Sequence, residues 1–413
     1  MNPPVDVVAS VAAAPGTTAR LPRSIVLLMS LASGLAVANV YYAQPLLDVL
    51  ANEFGIGHAR IGAVITLTQI GYGIGLLVVV PLGDLVDRRR LVIGQSLLSV
   101  VALGVVTLAP TAAIFLAGIA AVGVVAVVTQ LFVAHASALA PPAERGHVVG
   151  TVTSGIITGI LLARVVSGLL SDLLGWRAVY ALSAVANLVV VALLILALPA
   201  QPRAGSHMSY VALIGSVFRL LMEERVLRIR AVLALLIFTA MTILWTPMVL
   251  PLREPPFLLT HGEIGLFGLA GLVGALGAAR SGRLADSGHA QRTTGVALVL
   301  MLVSWLPSAM LSDSLWGLLV GVLLIDFGLQ SVHVANQSLI YRVRPEAQSR
   351  LTAAYMVFYS IGCALGSMVS TLVYARAGWA AVCLLGACVS ALALVFWAAT
   401  RHLTPDREPG SPP

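Results

Sequence analysis

Twelve separate stretches of this chain are each about as long and as apolar as a helix that crosses the hydrocarbon core of a bilayer, which needs about 20 such residues. They cover 24–47 (α1), 61–83 (α2), 91–109 (α3), 112–138 (α4), 148–171 (α5), 177–199 (α6), 229–252 (α7), 264–284 (α8), 293–311 (α9), 314–340 (α10), 351–374 (α11) and 379–400 (α12). Of the 413 residues, 59% are hydrophobic and 10% charged. Soluble domains carry about 25% charged residues. The polar residues here are too few to coat two or three soluble domains, so lipid is the main solvent. A water-soluble enzyme, a disordered chain, collagen and a coiled coil are all excluded by composition.

The charges then set topology. All 24 basic residues are arginine, and the net charge is +7. They lie in short loops between apolar runs, a membrane-topology pattern and not a nucleic-acid surface. Nineteen fall on one side of the predicted crossings and four on the other, with Arg164 left inside α5. The arginine-rich side is expected to be cytoplasmic and to hold both termini. Residues 1–23 show no compact signal-peptide pattern and read as a cytoplasmic tail, as do 401–413. Residues 200–228 form the one long connection, in which 210–222 can make a short amphipathic helix on the membrane surface. The three cysteines sit in apolar segments with neither metal-ligand nor disulfide spacing.

The chain also repeats. Leu82-Gly83-Asp84 recurs as Leu284-Ala285-Asp286, Gly175-Trp176 as Gly378-Trp379, and the Pro-rich loop ending in Arg145 as the loop ending in Arg350. The three offsets are 202, 203 and 205 residues, one period of six helices. The expected architecture is an all-α membrane protein of 12 transmembrane helices in two pseudo-symmetric six-helix bundles, 24–199 and 229–400, joined by a cytoplasmic linker at 200–228. Parallel repeats of this kind place a binding site near the midplane, where the bundles meet.

Val80-Pro-Leu-Gly-Asp84-Leu-Val-Asp-Arg88-Arg89-Arg90 resembles the loop signature between the second and third helices of the major facilitator superfamily, and Gly282-Arg-Leu-Ala-Asp286-Ser-Gly288 is similar to its second-half copy. Val80 and Asp87 stand where that signature has glycine. More narrowly, Ala38-Asn39-Val40-Tyr41-Tyr42-Ala43-Gln44-Pro45-Leu46-Leu47 and Asp326-Phe-Gly-Leu-Gln330-Ser-Val-His333-Val-Ala-Asn336-Gln337 look like a bacterial branch of efflux permeases, similar to sugar and drug exporters. The resemblance implies alternating access. It also implies a cytoplasmic latch in which Asp84, Arg88, Arg89 and Asp286, with the loop residues Arg145 and Arg350, bond across the bundles in one conformation and release in the other. Fixing topology alone is the plainer reading of these arginines.

Ionisable residues at mid-membrane are costly and mark function. Arg164, about 17 residues into α5, and Asp326, about 12 residues into α10, fall near mid-bilayer at a 1.5 Å rise. Asp326, Gln330, His333 and Gln337 form one polar stripe about 60° wide running about 16 Å toward the cytoplasm. The stripe suits a wet cavity wall, with Asp326 binding and releasing a proton and His333 accepting one below it. A hydrogen-bonded seam that fixes packing is the structural alternative. Arg164 takes the last glycine position of the family's antiporter signature on α5, where the sequence reads Gly159-Ile160-Leu161-Leu162-Ala163-Arg164. It suits a carboxylate or phosphate of the substrate, or else a static ion pair with Asp326 or Asp172.

Further candidates for substrate contact are Asn39, Tyr41, Tyr42 and Gln44 on α1, Gln69 and Tyr72 on α2, Gln130 on α4, Trp245 on α7, and Tyr355 and Tyr359 on α11. Amphipathic aromatics suit an organic ligand with an apolar body and few polar anchors. Placing α1, α4, α7 and α10 at the cavity follows from the resemblance. The glycines of α8, spaced by three, form a spiralling stripe; the resemblance implies that α8 meets α5, which carries Gly155 and Gly159, so a sliding contact between the bundles is expected there.

No phosphate-binding loop, metal cluster or nucleophilic triad appears, so the chain reads as no enzyme and needs no cofactor. The expectation is a secondary transporter of the bacterial inner membrane, proton-coupled and exporting small organic molecules. Its partners are substrate, protons and lipid but not nucleic acid, and it is expected to be a monomer. A symporter or uniporter of an organic anion held at Arg164 is the alternative within the class, and a non-transporting sensor or scaffold is the alternative outside it.

Overall fold

The computed structural model describes residues 22–141, 144–199, 209–312, 314–344 and 347–404, apart from the side chains of Asp84, Ala279, Ala285 and Asp286. Every regular element among them is helical. Eleven helical runs are long and apolar enough to cross a membrane. Ten are Arg23–Phe54 (α1), Ala63–Gly83 (α2), Arg88–Thr107 (α3), Ala112–Leu139 (α4), Arg145–Leu174 (α5), Trp176–Ala197 (α6), Arg225–Arg253 (α7), His261–Leu284 (α8), Ala290–Ser312 (α9) and Leu315–Val343 (α10). The eleventh, Gln348–Leu403, holds both α11 and α12. It is broken at Gly378, whose φ of 72° and ψ of −170° leave the helical region. Gly175, with φ 83° and ψ 160°, makes the same break between α5 and α6. These are the two glycines of the repeated Gly-Trp pair, and a positive φ is the reason glycine stands there. The chain thus makes twelve crossings in the arrangement of two six-helix bundles.

Helix α1 runs further than the apolar stretch predicts. After a tight turn at Gln44–Leu46 it continues as Leu47–Phe54, which buries Leu47, Leu50 and Ala51 at helical spacing. This extension brings Asp48 into the fold. The connection between the bundles carries a helix at Tyr210–Glu223 that buries Leu213, Ser216, Val217 and Leu220 on one face. Val211, Phe218 and Met222 stay exposed on the other.

With an even number of crossings, the chain enters and leaves at the same end, here called the terminal end. The two ends differ. At the far end the halves touch through α5 against α8 and α2 against α11. A Cβ on Gly168 would collide with the His261 carbonyl, and one on Gly62 with the Ser367 carbonyl. Ser367 Oγ donates to the Gly62 carbonyl at 3.0 Å and Thr66 Oγ1 to the Ala364 carbonyl at 3.0 Å. At the terminal end the halves part around a cavity of about 650 Å³.

The α8 glycines behave as their spacing predicts. Gly262, Gly265 and Gly268 meet α5, and Gly274 and Gly277 have turned far enough around the helix to meet α10 at Asp326, Gln330 and Phe327. A step of three residues lags a full turn by about 60°, so one stripe serves two neighbours. The expected partners on α5 are different, however. Gly155 and Gly159 pack against Ser30 and Gly34 of α1, because they lie on the opposite face of α5 from Arg164.

Close crossings inside one half are equally strict. A Cβ on Gly123 of α4 would collide with the Thr68 carbonyl of α2, whereas one on Gly104 of α3 meets nothing within 4 Å. Gly123→Ala is expected to destabilise the protein by about 1–3 kcal/mol through overpacking. Gly104→Ala is expected to be neutral or to stabilise by about 0.5–1 kcal/mol. Apparent melting temperatures of the two variants in detergent check the contrast.

Candidate functional site

The polar core of the protein lies where α1, α5, α7, α10 and α11 meet. Arg164 is 5% exposed, yet its charge has no carboxylate at ion-pair distance among the described residues. Its Nε donates to Gln44 Oε1 at 2.7 Å. Its guanidinium carbon lies 3.7 Å from the centre of the Trp245 ring and 5.3 Å from that of Tyr41. The two terminal nitrogens donate to nothing among the described residues. A guanidinium over the face of an indole is a favourable cation–π contact, stronger when water is excluded.

The same indole reaches the opposite charge. Trp245 Nε1 donates to Asp326 Oδ1 at 3.1 Å. Trp245 therefore lies between a cation of the first half and a carboxylate of the second. The α8 glycines make room for both: a Cβ on Gly268 would lie 3.0 Å from Arg164 Cβ, and one on Gly271 3.9 Å from Asp326 Oδ2. Bulkier residues in α8 would push this helix off both α5 and α10.

A chain of aromatic contacts connects this core to the terminal-end cavity. Tyr41 and Tyr359 hydroxyls, from opposite halves, are 3.0 Å apart. The Tyr359 ring meets Tyr72 edge-on at 6.2 Å. The Tyr72 hydroxyl accepts from Gln130 Nε2 at 3.3 Å, and Gln130 lines the cavity. The cavity itself stops short of Arg164 and Asp326. Beside Arg164 there is a hollow of only about 10 Å³, walled by Gln44, Pro45, Trp245, Met248, Val249 and Ile264. In this conformation the charged core is sealed.

The remaining sequence-predicted residues fall elsewhere. Asn39 faces α6, where its Oδ1 accepts from Ser183 Oγ at 2.6 Å. Tyr42 packs edge-on against Tyr180 of α6 at 6.2 Å. Gln69 is buried with its Oε1 unbonded. Gln330 lies against α8 at Gly274, and Gln337 is half-buried one turn past His333. His333 Nδ1 pairs with the Tyr355 hydroxyl at 2.9 Å, and its ring meets Phe238 at 5.3 Å. Phe238 also touches Tyr359 at 4.3 Å, so it links the His333 pair to the aromatic chain. The sequence reading missed Phe238, as well as Asn336 and Arg230. Asn336 Oδ1 accepts from the fully buried Arg230 at 3.3 Å.

The signature loop makes its described bonds within the first half. Arg88 Nε donates to the Gly83 carbonyl at 3.0 Å, and Arg89 donates to the Ile195 carbonyl at 2.7 Å. Arg145 Nε donates to the Ser137 carbonyl at 3.1 Å. Arg88 and Arg145 on one wall of the cavity stand across from Arg350 on the other. The side chains of Asp84 and Asp286 lie outside the described residues. Asp172, considered as a partner for Arg164, instead accepts from His261 and Gly262 at the far end.

Comparison with known proteins matches this architecture. The chain fits the model of the Major Facilitator Superfamily over residues 27–305 and again over 231–413. The chain belongs to the major facilitator superfamily. It is 44% identical over 377 residues to YgaY of Escherichia coli strain K12, named as an uncharacterized transporter, covering 91% of this chain and 95% of that one. It is 30% identical over 390 residues to the transporter SCO4007 of Streptomyces coelicolor, covering 93% and 89%. In fold it resembles the inward-facing, unoccupied structure of a bacterial homologue of the human lysosomal transporter Spinster, with a TM-score of 0.77 at 15% identity over 94% of this chain and 99% of that one. The human organic anion transporter MFSD10 gives a TM-score of 0.68 at 17% identity over 92% and 100%. This is a multi-pass membrane transporter of that superfamily.

The hydroxyl pair is a direct bond between the halves of the transporter. Tyr41→Phe and Tyr359→Phe are each expected to weaken the observed conformation by about 0.5–1.5 kcal/mol. The double variant should lose no more than either single one. Thermal stability of the four proteins, compared as a double-mutant cycle, reads the coupling.

Proposed function

We propose that this transporter exports small organic molecules across the bacterial inner membrane in exchange for protons. With nineteen arginines on its side against four on the other, the terminal end is cytoplasmic in this reading. The conformation described above is then inward-facing, open to the cytoplasm and closed outside.

One observation carries the reading. Arg164 and Asp326 belong to opposite halves and lie at membrane depth, and a single indole spans them without a direct ion pair. A charged Asp326 attracts Arg164 across the indole, and a protonated one does not. Loss or gain of that charge alters how the halves hold together at their centre. In the proposed cycle Asp326 takes a proton from outside as substrate leaves, and gives it up toward the cytoplasm as new substrate enters. His333, two turns nearer the cytoplasm on α10, serves as a second proton acceptor beside Tyr355. Tyr41, Tyr72, Tyr359 and Trp245 supply the amphipathic surface for an organic cargo. Gln44, Gln130, Gln330 and Gln337 supply hydrogen bonds along the route. The cytoplasmic mouth closes in the opposite state, with the Asp84–Arg88–Arg89 loop, Asp286, Arg145 and Arg350 as its latch.

A second reading is favoured by the terminal nitrogens of Arg164. Gln44 occupies Nε and leaves both free, the geometry in which a guanidinium grips a carboxylate through two parallel bonds. The cargo is then an organic anion, carried by symport or uniport.

Proteoliposomes test both. Asp326→Asn is expected to abolish pH-driven transport, by more than tenfold, while sparing substrate exchange; pH-driven flux at the wild-type level removes Asp326 as proton carrier. Arg164→Lys keeps the charge but loses the fork. It should weaken anionic substrates about tenfold more than neutral ones under the second reading, and both alike under the first. Absence of flux for every substrate under every gradient would leave a sensor or scaffold.

A further inference from the structure

A second cluster of charged groups lies at the far end, away from the central site. Asp48, on the extension of α1, and Asp172, at the end of α5, come from the first half. Arg253 ends α7 and His261 begins α8, in the second half. His261 Nδ1 is 2.8 Å from Asp172 Oδ1, and its Nε2 is 3.0 Å from Asp48 Oδ1. Arg253 Nε donates to Asp48 Oδ2 at 2.9 Å. Asp172 also accepts the backbone N–H of His261 at 3.1 Å and of Gly262 at 2.7 Å. Side-chain exposure is 9% for His261, 13% for Asp48 and 28% for Asp172. The histidine is thus shielded, and its partners reach toward water.

The geometry distinguishes two protonation states of the ring. A neutral imidazole has one N–H and one lone pair. With a carboxylate on each nitrogen, the neutral ring must set its lone pair against an anion. Only the imidazolium donates on both sides. Charge balance agrees. Asp48 and Asp172 against Arg253 leave one negative charge in excess, which a protonated His261 cancels. Among the described residues, the titratable and charged groups that face the ring are these three. Glu263, on the ring's own helix, is turned to the Thr260 amide at 2.7 Å.

We propose that His261 is a proton-binding site that locks the far end shut, joining the two halves through Asp48 and Asp172 when charged and releasing them when neutral. The bonds cross from one half to the other, so they exist only while the far end is closed. When that end is open, water reaches the separated groups and a proton exchanges freely at His261. Closure then traps it between two carboxylates. The lock is fully engaged at low pH and is lost as the pH on that side rises through the imidazole range, about 5 to 8. Low pH outside therefore favours the state that is open at the terminal end. The inference needs alternating access, but neither a particular cargo nor Asp326 as the coupling group.

The test reads distance, not flux. The full-length protein is placed in lipid nanodiscs with the exposed Cys388 replaced by Ser. Asn52→Cys and Leu258→Cys, on exposed residues of the two halves, carry spin labels. Without substrate, the far-end-open population should rise at least fivefold between about pH 5 and about pH 8, within the usual range of coupling between sites. His261→Gln should lose most of that rise and stay near the open level that the unaltered protein shows at high pH. His261→Arg, charged throughout, should be flat at the closed level, and it decides the matter if the glutamine variant does not fold. A pH response in either variant equal to that of the unaltered protein overturns the proposal, as does a flat response in the unaltered protein, which leaves only static ion pairs. Repeated in the Asp326→Asn background, where the central carboxyl no longer titrates, the difference between His261 and its two variants should persist, so failure of proton-driven export and failure of this lock are separable.

Discussion

The structure turns on how a guanidinium is kept in a place where water is absent. An arginine at the depth of Arg164 costs at least about 2.5–3.5 kcal/mol to insert, and the fold answers with partners from several helices. Gln44 takes Nε, Trp245 and Tyr41 offer ring faces, and Asp326 stands beyond the indole. Those partners belong to both halves. Solvating Arg164 therefore pulls α1, α5, α7 and α10 to a single point. The glycines of α8 are the geometric condition for this, because a helix with larger side chains would hold α5 and α10 apart.

The same crossings explain why one end is shut and the other open. Toward the far end, α5 meets α8 and α2 meets α11 with glycine at the contact, and hydroxyls of Thr66 and Ser367 bond to backbone carbonyls across the interface. Backbones this close leave no passage. Toward the terminal end the helices diverge, and the facing surfaces carry Arg88 and Arg145 opposite Arg350. Like charges on facing walls resist closure unless acidic groups or substrate intervene. The far end thus joins close packing to attraction between opposite charges, whereas the terminal end sets like charges on facing walls.

The crossings and the central charges were legible in the sequence, and their orientation was not. Apolar length gives the helices, and the Gly175 and Gly378 landmarks give both the repeat and the two sharp breaks. Helix periodicity separates α1 into two polar faces, Asn39 with Tyr42 and Tyr41 with Gln44, but it does not say which face meets which neighbour. Packing decides: the first turns to α6 and the second to Arg164 and Tyr359. The spiral of α8 was legible because it follows from helix geometry alone. Its partner α5 came from the resemblance, but the contact points on α5 were not legible, since Gly155 and Gly159 look equally suited to any close neighbour. The far-end cluster left no local signal. Asp48 and His261 lie 213 residues apart, just outside the apolar stretches, where a charge ordinarily needs no partner.

The two charge systems act at different depths and have different access to water, which makes them complementary. In the core, Asp326 faces a fixed cation and lies behind the Tyr41–Tyr359 bond. At the far end, His261 faces fixed anions whose side chains are 13% and 28% exposed, next to the solution on that side. Protonation has opposite effects on them. It removes the attraction between Asp326 and Arg164, and it creates an attraction between His261 and its two carboxylates. In the proposed cycle, a proton arriving from the far-end side would loosen the centre while tightening the rim. In the proposed export cycle this lets the halves close at the far end and part at the terminal end in one movement, because no single contact has to be both made and broken by the same proton.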